Sequence, residues 1–335
     1  MSSFPFVSLF TSSLILGTII ALSGTHWVFV WLGLELNLIS FIPLITFSSR
    51  SPTAEAAMNY FLAQALGSGF ILLGSLSFYI NPQILFNVNS INLLLLLGLL
   101  IKLGLPPCHF WMPSVMSLLS WPLCMLLISW QKLAPMIILF YLFSPNLNSV
   151  MVSLIILSSL LGGMGGLNQT QLRPLLAYSS IGHMSWMMAA SLVSFTAGMI
   201  YLSIYILINL VLMSFLWSSS SSNNSSLNSI SSNNIFNMTL LGLIFSLGGI
   251  PPFLGFFPKW LMIESMSTTS MFIVFILLLG SMINLYYYLN LAFIALMKAP
   301  RSPLVDYTNK TYVPLILPLS ATMTLGLGPI LFLII

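Results

Sequence analysis

The chain is a succession of apolar runs of about twenty residues, separated by short clusters rich in Gly, Pro, Ser and Asn. A helix rises about 1.5 Å per residue, so each run is long enough to cross about 30 Å of hydrocarbon. The runs are continuous, whereas the strands of a membrane barrel alternate apolar and polar residues over about ten positions. The pattern therefore predicts an all-α polytopic membrane protein.

The runs predict about eleven transmembrane helices, and the fourth is expected to continue past a break to about Leu119. One low-complexity segment, residues 218–234, is almost entirely Ser and Asn and is interpreted as an external loop. The predicted helices cover residues 4–22, 26–46, 57–79, 91–105, 122–143, 150–167, 172–191, 196–217, 238–262, 271–297 and 312–334.

Basic residues in the predicted loops orient the chain. Each follows an even-numbered helix, and the predicted loops on the other side contain none. Loops on the cytoplasmic or matrix side of a membrane carry an excess of Lys and Arg. The amino terminus is therefore predicted on that side and, with eleven crossings, the carboxyl terminus on the opposite side. The five residues are Arg50, Arg173, Lys298, Arg301 and Lys310.

Composition narrows the class further. Hydrophobic residues make up 58% of the chain and charged residues only 4%, whereas about a quarter of the residues of a soluble domain are charged. The chain has two cysteines, Cys108 and Cys124, and three scattered histidines. These are too few for a four-thiolate iron-sulfur cluster or a zinc site and give no obvious haem pair. No redox cofactor is predicted in this chain.

A proline pattern occurs twice. Residues 103–113 read LGLPPCHFWMP and residues 249–258 read GIPPFLGFFP, and Pro251 lies 145 residues after Pro106. Five helices separate the copies, and because this number is odd, the second copy would enter the membrane from the opposite side. The interpretation is two inverted five-helix repeats, 1–145 and 146–298, each with a Pro-broken fourth helix, followed by a loop and C-terminal helix at 299–335. The alternative is chance, since Pro-Pro is a common loop dipeptide.

Four charged residues are predicted to lie within the hydrocarbon. Each would cost about 2.5 to 3.5 kcal/mol at a helix centre, so they are expected to face a watery interior and to partner one another. Pro106 also leaves the Lys102 carbonyl without a helical partner, so that carbonyl needs water or a polar group. The candidate residues of a proton relay are Glu35, Lys102, Lys132 and Lys259.

Each candidate also has a structural interpretation. Glu35 and Lys102 could form an ion pair without turnover; otherwise their separation would set how firmly Lys102 holds its proton. Lys132 and Lys259 could instead extend to a membrane interface. His109, in the first break, is a candidate shuttle between Lys102 and Lys132, and a hydrogen-bonded structural histidine is an equally good interpretation. His183 has the same two interpretations.

Five segments together resemble the family of subunit 2 of mitochondrial NADH:ubiquinone oxidoreductase, respiratory complex I, an antiporter-like family. The resemblance implies that the four charged residues form a central hydrophilic axis and that the protein crosses the mitochondrial inner membrane. One departure is Asn59, where the family often has a lysine. The segments are HWVFVWLGLELN (26–37), IKLGLPPCHFWMP (101–113), SWQKLAP (129–135), LRPLLAYSSI (172–181) and GIPPFLGFFPKW (249–260).

The resemblance implies a core membrane subunit that translocates protons while NADH, flavin, iron-sulfur clusters and ubiquinone belong to partner subunits. The expected partners are other membrane and accessory subunits and the lipid bilayer, with no nucleic acid. One alternative is an independent monovalent cation/proton antiporter, which the lack of a second membrane carboxylate near Glu35 disfavours. The other is a structural membrane scaffold.

Overall fold

A computed structural model describes residues 4–47, 51–80, 88–142, 148–220, 234–267 and 270–297. This part of the chain contains helices and connecting turns and no strand. The helices are α1 (Phe4–Ser23), α2 (Trp27–Thr46), α3 (Ser51–Ile80), α4 (Val88–Leu103), α5 (Trp111–Leu118), α6 (Trp121–Ile128), α7 (Trp130–Leu142), α8 (Asn148–Leu167), α9 (Leu172–Val193), α10 (Phe195–Ser220), α11 (Asn234–Gly248), α12 (Phe256–Met266) and α13 (Met271–Met297).

Seven helical segments of the described chain are long and apolar enough to cross a membrane. Two shorter apolar helices, Leu93–Leu103 and Met238–Gly248, lead into the two Pro-Pro segments. The all-helical, multi-pass architecture is therefore confirmed, while the count of eleven crossings stays a prediction. The seven segments are Pro5–Ser23, Trp27–Thr46, Ser51–Ser77, Trp121–Leu142, Ser149–Leu167, Phe195–Ser218 and Met271–Phe293.

Several predicted features lie outside the described residues. They are the helix at 312–334, most of the Ser- and Asn-rich loop 218–234, and four of the five orienting basic residues, which leaves only Arg173 described. The sidedness derived from those charges therefore stays a prediction.

The predicted span 122–143 corresponds to one candidate membrane span, Trp121–Leu142. Within it a one-residue turn at Ser129 separates α6 from α7. The Ser129 hydroxyl donates to the Met125 carbonyl at 2.6 Å, and the Ser129 amide donates to the same carbonyl at 3.1 Å. A hydroxyl that bonds back to the preceding turn competes with the helical ladder and bends helices. The interruption lies three residues before Lys132.

The chain divides into two compact units, one up to Ser158 and the other from Ser159 onward. In the first unit, α3 packs against α2, α4 and α5, and α7 packs against α4. In the second unit, α9 packs against α10, α12 and α13, and α11 packs against α10 and α13. Each unit therefore contains one of the two helices that end at a Pro-Pro segment.

Glycines allow the helices of the first unit to pack backbone against backbone. A Cβ atom added to Gly98 of α4 would lie 2.7 Å from the carbonyl oxygen of Gly67 on α3. A Cβ atom added to Gly33 of α2 would lie 2.7 Å from the Cα atom of Ala21 on α1. Small residues at helix interfaces are characteristic of membrane bundles, where close packing replaces the hydrophobic driving force. The first contact joins α3 to α4, which carries Lys102, and the second joins α1 to α2, which carries Glu35.

Candidate functional site

The first candidate feature is the end of α4 at the Pro106-Pro107 segment. Gly104 has a φ angle of 70°, a left-handed conformation that glycine adopts without the steric penalty of a Cβ atom. The Leu105 amide donates to the Leu100 carbonyl at 2.9 Å, and the Gly104 amide donates to the Ile101 carbonyl at 3.1 Å. These bonds close the helix in the manner of a Schellman motif. Helix α5 begins only at Trp111, so residues 104–110 form the break.

The end of α11 has the same backbone construction. Gly249, which lies 145 positions after Gly104, has a φ angle of 75°. The Ile250 amide donates to the Phe245 carbonyl at 3.3 Å, and the Gly249 amide donates to the Ser246 carbonyl at 3.1 Å. The sequence repeat therefore corresponds to a repeated helix ending, with the same left-handed glycine and the same two backbone hydrogen bonds in each unit.

Two side chains from outside α4 satisfy carbonyls of the first ending. The Gln64 Nε2 atom of α3 donates to the Lys102 carbonyl at 3.1 Å. The Trp111 indole nitrogen donates to the Ile101 carbonyl at 3.0 Å. The sequence predicts that the Lys102 carbonyl needs a polar partner, and Gln64 is that partner. The donor lies 38 residues earlier in the chain, so no local sequence pattern identifies it.

At the second ending, the lysine itself is the donor. The Lys259 Nζ atom donates to the Gly248 carbonyl at 2.8 Å, and the Lys259 side chain is only 7% exposed. Its side chain therefore folds back into its own break, within the second unit, instead of extending to the surface of that unit. A charge-assisted hydrogen bond of this kind is stronger than a neutral one.

Lys102 has a different environment. It is 5% exposed, and none of the described residues makes a hydrogen bond with its Nζ atom. Glu35 of α2, which is half-buried, lies within electrostatic range of Lys102 without a hydrogen bond between them. The structure therefore brings Glu35 and Lys102 into one cluster but not into a closed ion pair.

Lys132 is also buried, at 5% exposure, on helix α7, which packs against α4. The side chain therefore does not reach the surface of its unit, as it would if it extended beside Trp130 to an interface. Lys102 and Lys132 thus lie on adjacent helices of the first unit, whereas Lys259 belongs to the second.

His109 lies in the first break and is 5% exposed. Its Nδ1 atom is 3.3 Å from the Pro107 carbonyl, and its ring lies against Phe110 with the ring centroids 4.1 Å apart. These local contacts fix the position of the ring, and they agree with the structural interpretation of this histidine. Its role as a proton shuttle stays a prediction.

Tyr60 is a member of the first cluster that sequence reasoning missed. It is 1% exposed on α3, and its ring packs edge-on against Phe41 of α2 and Trp111 of α5, with centroids 5.1 and 5.8 Å apart. Its hydroxyl group lies within electrostatic range of Glu35. The spacing of Tyr60 could have identified it from the sequence, because it precedes Gln64 by four residues and therefore lies on the same helical face.

A small cavity adjoins the second break. Its volume is about 10 Å³, close to what one water molecule requires. His183 of α9 and Tyr201 of α10 line it on one side, with the His183 Nδ1 atom 3.1 Å from the Tyr201 hydroxyl. Ser246 and Pro258, from α11 and α12, line the other side. The cluster gives His183 a defined partner beside the helix that carries Lys259.

Two comparisons agree on the class of this protein. The family described as "NADH:quinone oxidoreductase/Mrp antiporter, TM" matches residues 24–284. A chain of respiratory complex I from Thermus thermophilus is 25% identical, with a TM-score of 0.84 over 98% of this chain and 79% of that one. A chain of the Mrp complex from Dietzia sp. DQ12-45-1b has a TM-score of 0.82 over 96% of this chain and 74% of that one, at 17% identity, so it shares the fold. The chain is therefore an antiporter-like polytopic membrane protein.

Named relatives define the family more closely. NADH-ubiquinone oxidoreductase chain 2 of Lumbricus terrestris is 40% identical over 334 residues, which cover 98% of each chain. The protein of the same name from Dasypus novemcinctus is 40% identical over 288 residues, 84% of this chain and 83% of that one. This chain belongs to the family of NADH-ubiquinone oxidoreductase chain 2.

Proposed function

We propose that this chain is a core membrane subunit of respiratory complex I, in which it translocates protons along a relay of Glu35, Lys102, Lys132 and Lys259. Electron transfer from NADH to ubiquinone takes place in other subunits, which hold the flavin and the iron-sulfur clusters. Family membership supports the assignment to such a complex. His109 is a candidate shuttle between the first two lysines.

The observation that carries the relay is the environment of Lys102. Its backbone carbonyl is fixed by Gln64, whereas its Nζ atom makes no hydrogen bond with the described residues and is buried. Ionisable groups inside a membrane bundle are costly to place and usually functional. A lysine whose backbone is fixed, and whose ammonium group has no hydrogen bond to the described residues, can exchange the partners of that ammonium group. Glu35, close enough to interact electrostatically, can change the stability of the charged form when its distance changes.

Lys259 has the opposite arrangement, because its Nζ atom is bonded to the Gly248 carbonyl. A proton that arrives at or leaves Lys259 therefore changes a bond that closes helix α11. We infer that the two breaks differ in function: the first holds a lysine that responds to Glu35, and the second couples the charge of its lysine to the helix ending. Lys132, buried on α7 against α4, is the proposed relay site that follows Lys102.

The proposed setting follows from the same reasoning. The partners are the other membrane and accessory subunits of the complex and the lipid bilayer. The location is the mitochondrial inner membrane, with the amino terminus on the matrix side by the distribution of basic loop residues. The two units are proposed to be inverted repeats, in line with their matching helix endings.

An independent antiporter is the second candidate, because the fold is shared with a chain of an Mrp complex. Purification under mild detergent separates the two. The proposal predicts that the chain elutes in one large assembly that oxidises NADH and that the chain alone, in liposomes, shows no cation/proton exchange. Elution as a single chain with such exchange would support the antiporter and contradict the proposal.

A structural scaffold is the remaining alternative, and Lys132→Met tests it. The scaffold predicts an assembled complex with unchanged proton pumping, because pumping would not use this residue. The relay predicts reduced pumping in a complex that still assembles. Lys132 is a sharper test than Lys259, which also closes a helix end.

A further inference from the structure

We propose that helix α3 positions Lys102 through Gln64 and Gly67, and that Gln64 is a positioning residue for proton transfer at Lys102. This inference rests on the proposed function. It assigns a role to a helix that carries none of the four proposed relay residues.

The contact of Gln64 is specific for the lysine's own backbone. Its Nε2 atom donates to the Lys102 carbonyl at 3.1 Å, and the two residues are 6% and 5% exposed. Because α4 ends at Leu103, the last carbonyls of the helix have no partner within it. An apolar residue at position 64 would leave a buried carbonyl without its donor, and the last turn of α4 would have to move toward another one.

Gly67 acts on the side chain of the same lysine. A Cβ atom added to Gly67 would lie 3.0 Å from the Lys102 Cγ atom, so the lysine stem lies directly against the α3 backbone. Gln64 and Gly67 are three residues apart and therefore lie on one face of the helix. One face of α3 thus contacts both the backbone and the side chain of Lys102.

Tyr60 extends this face toward the other parts of the cluster. It packs against Phe41 of α2 and Trp111 of α5, and Trp111 in turn donates to the Ile101 carbonyl. A shift of α3 would therefore disturb the hydrogen bonds to the Ile101 and Lys102 carbonyls and the packing of α2, the helix that carries Glu35. We infer that α3, by contacting both α2 and the end of α4, keeps Glu35 and Lys102 in a fixed relative position.

The ionisable groups near Gln64 determine how a titratable replacement would behave. The elements packed against α3 carry Glu35 on α2, Lys102 on α4 and His109 in the break, and α5 carries none between Trp111 and Leu118. On α3 itself, Tyr60 lies one turn away. A carboxyl group in place of Gln64 can donate to the Lys102 carbonyl only while it is protonated, so it loses this function as pH rises.

The test compares variants in the assembled complex, with proton pumping measured per NADH oxidised. Gln64→Met has a similar volume and no donor, and Gln64→Glu has a pH-dependent donor. Ser68→Ala is the matched control, because the buried Ser68 hydroxyl bonds, within the described part of the chain, only to Ala65 of the same helix. Lys102→Met is the reference, alone and combined with Gln64→Met.

We expect Gln64→Met to lower pumping by roughly tenfold, within the range that a misplacement of about 1 Å can cause. In the Lys102→Met background it should cause no further loss. Gln64→Glu should fall progressively below the wild-type level as pH rises, because its carboxyl group donates only while it is protonated. Ser68→Ala should match the wild type at every pH. If Gln64→Met fails to assemble, the pH profile of Gln64→Glu decides the question alone.

Three results would overturn the inference: wild-type pumping by Gln64→Met, a pH profile of Gln64→Glu that parallels the wild type, or equal losses in Gln64→Met and Ser68→Ala. A defect in Lys102→Met together with a normal Gln64→Met would reject the inference and leave the proposed function intact. Full pumping by Lys102→Met would reject the proposed function itself.

Discussion

Gly98→Ala should separate α4 from α3 and break the bond that holds Lys102. The added Cβ atom would lie 2.7 Å from the Gly67 carbonyl oxygen and 2.6 Å from the Ile71 Cγ1 atom. The first neighbour is backbone, and the second belongs to a β-branched side chain that has one strongly preferred rotamer in a helix. Neither neighbour can relieve the contact by changing its rotamer, so the two helices must move apart.

The size of the movement follows from these contacts. An ordinary carbon to oxygen contact is about 3.4 Å, so the gap at Gly98 has to open by about 0.7 Å. Lys102 lies one turn further along α4, and its carbonyl is 3.1 Å from Gln64 Nε2. The same movement would lengthen that distance to about 3.8 Å, beyond the range of a hydrogen bond. The expected cost is about 1 to 3 kcal/mol for overpacking, with a similar amount for the lost bond.

The assay has two readouts, the heat stability of the assembled complex and its proton pumping. Gly98→Ala should lower both. Gly69→Ala is the matched control on α3, because a Cβ atom at this position would have no neighbour within 4 Å among the described residues. It should leave both readouts unchanged. Wild-type stability and pumping in Gly98→Ala, or equal damage in Gly69→Ala, would show that close packing at Gly98 does not hold Lys102 in place.

Two further predictions concern the helix endings. Gly249→Ala should lower the heat stability of the complex, because the left-handed conformation costs a non-glycine residue about 1 kcal/mol or more and the new Cβ atom would lie 2.7 Å from Lys259 Nζ. Gly248→Ala is the control and should be tolerated, because its Cβ atom would be 3.7 Å from the Tyr288 ring. Equal stability of the two variants would contradict this prediction. Trp111→Phe keeps an aromatic ring beside Tyr60 but removes one of the two donors to the Ile101 carbonyl, which still accepts from the Gly104 amide. Thermal unfolding of the complex should therefore show a loss of about 0.5 to 1.5 kcal/mol, and an unchanged unfolding midpoint would exclude a role for this bond.

Hydrophobic pattern predicts the helices of this chain well, because each apolar run must cross a medium that offers no backbone partners. It does not reveal the turn at Ser129, where the hydroxyl bonds back to Met125. A serine in an apolar run is equally compatible with a straight helix. The local pattern therefore defines the span but not its interruption.

In the candidate site, too, the sequence predicts local features but not contacts between helices. Pro106 predicts that the Lys102 carbonyl lacks a helical hydrogen-bond donor, since the effect of proline is local. Its donor, Gln64, belongs to another helix, and only the packing of α3 on α4 brings them together. The position of Lys259 could not be obtained by counting residues from a helix start, because its side chain folds back to a carbonyl 11 residues earlier.

Proton pumping by the assembled complex with Lys102→Met is the most direct test of the proposed relay. Methionine keeps the length of the buried stem and leaves the backbone carbonyl available to Gln64, so the helix ending should persist while the ionisable group is lost. The account predicts a complex that assembles and retains NADH oxidation by its redox subunits with an artificial acceptor, but pumps fewer protons per NADH than the wild type. Wild-type pumping in this variant would contradict the role proposed for Lys102.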